Sequence, residues 1–327
     1  MNDKQHIPVL VDEIMEIFQP EATDVLLDAT LGLGGHTAAY LRAGGRVVGI
    51  DADPKAIQLA QGNLAEFGER VTYIEGNFTN LKELTNNFRK KEQQKELKNS
   101  LPGGGIVETN IPSEFSHILF DLGFNSSQIT DTDSGISFSS QTSLNMRYGS
   151  VGSLPQSSVK SINSLTQRLG SYPDVPELIE HLRAEEIEEV IRLYGEERHA
   201  RRIAEVIKGK LPKTSQELSN VVSEAVSKGY EHGRINPATR TFQAFRIAVN
   251  REMEVLAAAL PRATELLRDN GKLAVISFHS LEDRIVKNFI RNSNLVPVNK
   301  KPIVASDIEI KKNPRSRSAK LRIATKS

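Results

Sequence analysis

Residues 28–41, DATLGLGGHTAAYL, run from the end of a strand signal through a glycine-rich turn into the start of a helix. Gly32, Gly34 and Gly35 permit a tight turn and let backbone amides approach a ligand at a helix N-terminus. Their spacing is Gly-x-Gly-Gly and not the Gly-x-Gly-x-x-Gly of dinucleotide sites. Asp51 closes the next strand signal about twenty residues on, where an acid accepts hydrogen bonds from both ribose hydroxyls of a nucleoside cofactor. Nicotinamide dinucleotides and S-adenosylmethionine share that feature, so two others must separate them. Asp28, just before the turn, opposes a pyrophosphate and suits the cationic methionine end of S-adenosylmethionine. Asp121, in FDLGFNSSQ, ends another strand signal at the edge where an open α/β sheet places its ligand. Phe78, in EGNF, adds an aromatic ring beside the expected adenine position. Three acids and a glycine turn in sheet order favour S-adenosylmethionine, against the plainer reading that each acid caps a strand end.

These residues need a particular frame. DVLLDAT, RVVGID, RVTYIEGN and HILFDLG are short aliphatic and β-branched runs, and DPKAIQLAQGNLAEF between them has helical spacing. Strands alternating with helices predict a mostly parallel, Rossmann-like α/β sheet covered on both faces. Residues 86–113 break the pattern with a polar, glycine-containing run expected to be a surface linker. From residue 131 the composition turns to Ser, Thr, Gly and Asn, then to helical patterns with little strand character. The α/β character then returns. TRTFQAFRIAVNREMEVLAAALPRATELLRDNG reads as helix with a break at Pro261 and a stop at Gly271, followed by the strand KLAVISFHS, a helix and the strand SAKLRIATK. The expected organisation is residues 1–130 and 236–327 as one α/β domain and 131–235 as an inserted, mostly helical substrate-recognition domain.

The chain has 327 residues, enough for a substantial core, and no apolar run approaches membrane-spanning length. The N-terminus lacks the basic and apolar regions of a secretory signal. With no cysteine there is no disulfide, thiolate zinc site or cysteine nucleophile, which fits a cytoplasmic protein. A formal net charge of +1 excludes an indiscriminate polyanion binder, so nucleic-acid contact must come from local basic patches. No cluster of His and carboxylates predicts a structural metal. In FHSLEDR, Ser280 and Asp283 have capping-box spacing and are read as a helix start, not a hydrolytic triad, while His279 is a candidate pocket residue.

HIPVLVDEIM, DATLGLGGHT, DADPKAI, DLGFNSSQ, YGEERHARRIA, NPATRTFQAFRIAVNRE, GKLAVISFHSLEDRIVK and NPRSRSAKLRI occur in that order. Together they resemble the bacterial 16S ribosomal RNA (cytosine-N4)-methyltransferase family, MraW or RsmH, from about residue 6 to 324. The resemblance implies methyl transfer from S-adenosylmethionine to N4 of a decoding-centre cytidine, position 1402 in the usual 16S numbering, with the small ribosomal subunit as partner and no membrane. It implies cofactor contacts at Gly34, Gly35, His36, Asp51, Phe78, Asp121 and Gln128. The sequence departs from the family pattern at Phe124, Asn125, Ser134 and Asn145, all on the substrate side.

Cytosine N4 is a poor nucleophile because its lone pair is delocalised into the ring. An enzyme must hold it in line with the methyl group and accept a hydrogen bond from N4–H. Asp121 is the candidate acceptor, with Asn125 and Ser126 gripping the base edge, and His36 is expected to pack near the cofactor. The RNA-binding candidates are Arg198, Arg201 and Arg202, then Arg240 and Arg246, then Arg315 and Arg317 in a tail without interleaved acid. Two rival readings stand beside this one: a nicotinamide-dependent oxidoreductase, and a ribosome-assembly factor that keeps the fold without catalysis. Monomer and dimer are not distinguished by the sequence.

Overall fold

The computed structural model describes residues 7–99, 111–123, 137–138, 141–147, 154–226, 230 and 236–327, with backbone only for 95–99. They fall into two compact units, Met1–Asn125 with Leu256–Ser327, and Ser126–Val255. The first unit opens with α1 (Val11–Phe18), β1 (Val25–Asp28), α2 (Gly35–Arg42), β2 (Arg46–Asp51), α3 (Pro54–Asn63), β3 (Val71–Glu75), α4 (Leu81–Asn99) and β4 (Phe115–Asp121). Six helices of the second unit follow: α5 (Lys160–Leu169), α6 (Val175–His181), α7 (Ala184–Gly195), α8 (Ala200–Lys210), α9 (Ser215–Ala225) and α10 (Thr239–Asn250). The unit boundary lies within α11 (Glu252–Leu266), after which come β5 (Leu267–Ser277), α12 (Ser280–Asn292), β6 (Leu295–Pro297), β7 (Ile303–Val304), α13 (Asp307–Lys312) and β8 (Lys320–Lys326).

The strands form one sheet in the order β3-β2-β1-β4-β5-β8-β6, with β7 also paired to β8. β1 to β5 are parallel, and β8 runs antiparallel to its neighbours. Every residue of β1 is buried, as a strand covered on both faces requires. Neighbouring side chains on a strand point to opposite faces. Leu26 and Leu119 pack with Phe18, Tyr40 and Leu41 on one side. Leu27, Ile118 and Phe120 pack with Leu81 and Leu260 on the other. From β1 the chain moves outward to β2 and β3, then returns to the opposite flank for β4. That reversal opens a crevice at the carboxyl ends of β1 and β4.

Four local expectations are corrected. Residues 86–99 of the expected linker are the end of α4, because Phe88 packs on the core and Arg89 Nε donates to the Ile111 carbonyl at 3.2 Å. Pro261 lies inside α11 without ending it, and the break comes at Arg251, a left-handed residue (φ 53°) whose guanidinium is buried. Helix gives way to strand at Leu267, before Gly271, and the corner turns at Asn270 (φ 59°). The capping box of α12 is made by His279 and Glu282, not by Ser280 and Asp283. Asp283 instead takes Arg322 of β8 at 2.6 Å.

The second unit buries Ile162, Ile179, Val190, Ile203, Leu218 and Phe245. It extends through α10 to Val255, where the sequence reading ends it at residue 235. At the end of α7, Gly195 lies so close to α10 that a Cβ would stand 2.6 Å from the Arg240 carbonyl oxygen. A backbone atom cannot yield as a side-chain tip can. Gly195→Ala is therefore expected to destabilise this unit by about 1–3 kcal/mol in urea unfolding. A variant as stable as wild type would show that the two helices separate freely.

Candidate active site at the carboxyl edge of the sheet

β1, β2 and β4 lie side by side and each ends in an acid: Asp28, Asp51 and Asp121. Their environments differ. Asp28 is 2% exposed, accepting from the Thr37 hydroxyl at 2.7 Å and the Thr30 amide at 3.2 Å. Burial lifts its pKa from 3.8 to about 6, against the lowering effect of Thr37, His36 and Thr30. An acid whose folded pKa is raised loses stability as pH climbs from the unfolded value through the folded one. Wild type should thus lose stability between about pH 4 and pH 6 relative to Asp28→Asn, read as the difference in urea midpoint at each pH. Parallel pH curves for the two proteins would mean that Asp28 is not desolvated.

Asp51 organises the turn that the sequence predicts. Its Oδ2 accepts from the Gly32 amide at 2.8 Å and its Oδ1 from the Asp53 amide at 2.9 Å. Gly32 (φ 54°) and Gly34 (φ 82°) take left-handed conformations that glycine adopts without strain. Burial raises the Asp51 pKa while these amides lower it. Gly34 caps α2, and a Cβ on Gly35 would stand 2.9 Å from the Pro8 ring. Phe78, after β3, meets Phe120 edge to face at 5.6 Å between ring centroids.

Asp121 occupies the switch point. Its amide donates to Thr30 Oγ1 at 2.7 Å, and its Oδ1 accepts from the Gly123 amide at 3.3 Å. The Oδ2 faces His36 Nδ1 at 3.6 Å. His36 is 6% exposed, and its Nε2 donates to the Val9 carbonyl at 2.8 Å. The segment that carries Val9 is tied down in turn. Leu10 N donates to Glu309 Oε1 at 2.8 Å and Asn313 Nδ2 to the Ile7 carbonyl at 2.9 Å.

Thr30, Thr37 and the Val9 carbonyl were missed by sequence reasoning. Only the threonine of DAT, two residues after Asp28, offered a local signal. Phe124, Asn125, Ser126, Gln128 and Ser134 lie outside the described residues. Asn145 accepts from the Arg147 amide at 3.2 Å, a turn contact that an aspartate would make equally. His279 is a helix cap whose Nδ1 accepts from the Glu282 amide at 3.4 Å.

The arginines proposed for RNA divide by environment. Arg198, Arg201, Arg202, Arg315 and Arg317 are exposed. Arg201 pairs with Glu205 at 3.1 Å, and Arg240 stands 4.0 Å from the buried Glu197. Arg246 is held by both oxygens of Glu252, at 2.7 and 2.8 Å. The exposed ones fall in both units, Arg198, Arg201 and Arg202 in the second, Arg315 and Arg317 in the first.

The donor set fits S-adenosylmethionine. Asp51 takes backbone amides on both oxygens and keeps acceptor capacity for the ribose, Phe78 offers an apolar ring, and no basic side chain stands in the turn to meet a pyrophosphate. Asp28 and Asp121 supply negative charge where a cationic sulfonium and ammonium are at home.

Sheet order, switch point and acid set define the class: an α/β methyltransferase domain. The family model of the MraW methylase family matches residues 3–327, and the chain belongs to that family. Ribosomal RNA small subunit methyltransferase H of Sorangium cellulosum is 40% identical over 328 residues, covering 98% of this chain and 90% of that protein. The protein of the same name from a Synechococcus strain is 40% identical over 329 residues, covering 99% and 92%. A solved rRNA methylase from Streptococcus thermophilus is similar over 98% of each chain, at 9% identity and a TM-score of 0.39.

Proposed function

We propose that this chain methylates N4 of a cytidine in 16S ribosomal RNA, at the decoding-centre position 1402, with S-adenosylmethionine as donor. The observation that carries the reading is Asp121 at the switch point, beside a glycine turn braced by Asp51. The names of the relatives support a small-subunit RNA substrate. S-adenosylmethionine supplies an electrophilic methyl group on a sulfonium. Asp51 accepts from the ribose hydroxyls, Phe78 lies against the adenine, and Gly32, Gly34 and Gly35 keep the backbone close. Asp121 accepts the hydrogen bond from N4–H, which localises the lone pair as the new bond forms. Asn125 and Ser126 grip the base edge, and Gln128 completes the cofactor contacts.

Residues 131–235 serve as the substrate-recognition insert. Arg198, Arg202, Arg315 and Arg317 meet phosphates, with affinity that falls steeply with salt. The target base leaves its stack to reach the site. No helix among the described residues is long and apolar enough to cross a membrane, and ribosomal RNA as substrate puts the enzyme in the cytoplasm.

The test uses 30S subunits from a strain that lacks this methylation. They are incubated with the protein and S-adenosylmethionine, and the RNA is digested for mass spectrometry. N4-methylcytidine at the decoding centre is expected. A protein that binds S-adenosylmethionine yet leaves the RNA unmodified would be a binding factor, and the reading would fall.

A further inference from the structure

Methylation of an amino group releases a proton. The N4–C bond forms, the C–S bond breaks with its electron pair going to sulfur, and one N–H proton leaves so that the product nitrogen is neutral. Asp121 accepts the hydrogen bond from that proton in the reading above, on which the present inference rests. The carboxylate is not the end of the path.

His36 stands behind it, 6% exposed, and its two nitrogens have different surroundings. The partner of Nε2 is the Val9 carbonyl at 2.8 Å, which only accepts, so Nε2 carries the hydrogen. In the neutral ring the lone pair is then on Nδ1, and Nδ1 faces Asp121 Oδ2 at 3.6 Å. With a neutral imidazole and an ionised carboxylate the pair is one proton short of a hydrogen bond. Methyl transfer delivers one proton at that carboxylate. The tautomer is not left to chance, because Val9 belongs to a segment fastened by Glu309 and Asn313. Two carboxylates stand near the imidazole: Asp121 from β4 and the buried Asp28 from β1. Thr37, next on α2, is committed to Asp28, and the Pro8–Leu10 segment contributes no charged side chain.

We propose that His36 is a positioning residue that acts through Asp121: its Nδ1 receives from the carboxylate the proton that N4 gives up, and holds it until product leaves. The ring therefore does more than pack beside the cofactor.

His36→Gln separates the two roles, because the amide keeps an N–H for the Val9 carbonyl and has no basic nitrogen. Single-turnover methylation of 30S subunits is measured against pH for both proteins, with KM for S-adenosylmethionine and for the subunit. Wild type should lose rate toward acid pH, where the pair already holds its proton. The variant should be slower by about tenfold or more at neutral pH, with both KM values within about twofold and that acid limb displaced. Equal rates with the same acid limb would overturn the proposal and leave the function standing. No methyl transfer by wild type would overturn both. A readout free of turnover is the nitrogen-15 spectrum of the His36 ring in wild type and Asp121→Asn. The Nδ1 resonance should move and the protonated Nε2 resonance should stay. An Nδ1 resonance indifferent to Asp121→Asn would overturn the proposal even if His36→Gln failed to fold.

Discussion

Asp121→Asn is expected to transfer the methyl group about 10²- to 10⁴-fold more slowly than wild type, with S-adenosylmethionine bound within a few-fold of normal. The substitution keeps the shape of the side chain, so the Gly123 amide retains its acceptor, and the Asp121 amide still donates to Thr30 Oγ1. What disappears is the negative charge beside the reacting nitrogen. An amide oxygen accepts a hydrogen bond from N4–H, but it takes no proton from it and stabilises the developing positive charge far less. Single-turnover rates at saturating cofactor, with calorimetric affinities measured separately, distinguish the two effects. Near-normal turnover with only weakened cofactor binding would make Asp121 a ligand of the methionine end and leave N4 without its acceptor.

Asp51→Ala is expected to raise the Kd for S-adenosylmethionine by roughly 100-fold or more, with little change in the rate once the site is saturated. Hydrogen bonds to a charged group contribute about 1.5–3 kcal/mol each, and the variant loses those to two ribose hydroxyls. Each 1.4 kcal/mol is about tenfold in affinity, so the lower limit for two bonds gives about two orders of magnitude. A second loss adds to it. Asp51 Oδ2 holds the Gly32 amide and Oδ1 the Asp53 amide, so truncation also frees the turn and the start of α3. Calorimetric titration of apo protein with the cofactor measures the effect. A change below about fivefold would mean that the ribose lies elsewhere.

Much of the frame could be read from the chain. The strands β1 to β5 announce themselves as short aliphatic runs, and the acids that matter stand at the ends of three of them. A strand end is a local property, so Asp28, Asp51 and Asp121 fall into one edge as soon as the strands are laid parallel. The glycines at 32 and 34 were legible for a similar reason, since positive φ is a demand on a single residue. Capping was harder to place. HSLED offers two overlapping spacings, and the box formed at His279 and Glu282, leaving Asp283 to Arg322 of a strand far along the chain.

Composition misled in two places. The polar run after residue 86 looks like a linker, yet Phe88 and Arg89 fasten it as helix to residues that come later in the chain. Pro261 looks like a helix end, yet it lies inside α11, and the break falls before that helix at Arg251, a buried residue in the left-handed conformation.

By itself, then, the sequence determined the parallel sheet, the glycine turn, the three acids at its edge and the family to which the chain belongs. Only the tertiary structure decided what each side chain faces: His36 between the Val9 carbonyl and Asp121, Arg246 in the grip of Glu252, Thr30 bridging two strand ends. Secondary structure and backbone conformation follow from residue type and short-range spacing. Which polar groups meet depends on elements distant in sequence that packing brings within about 3 Å, a distance no local pattern encodes.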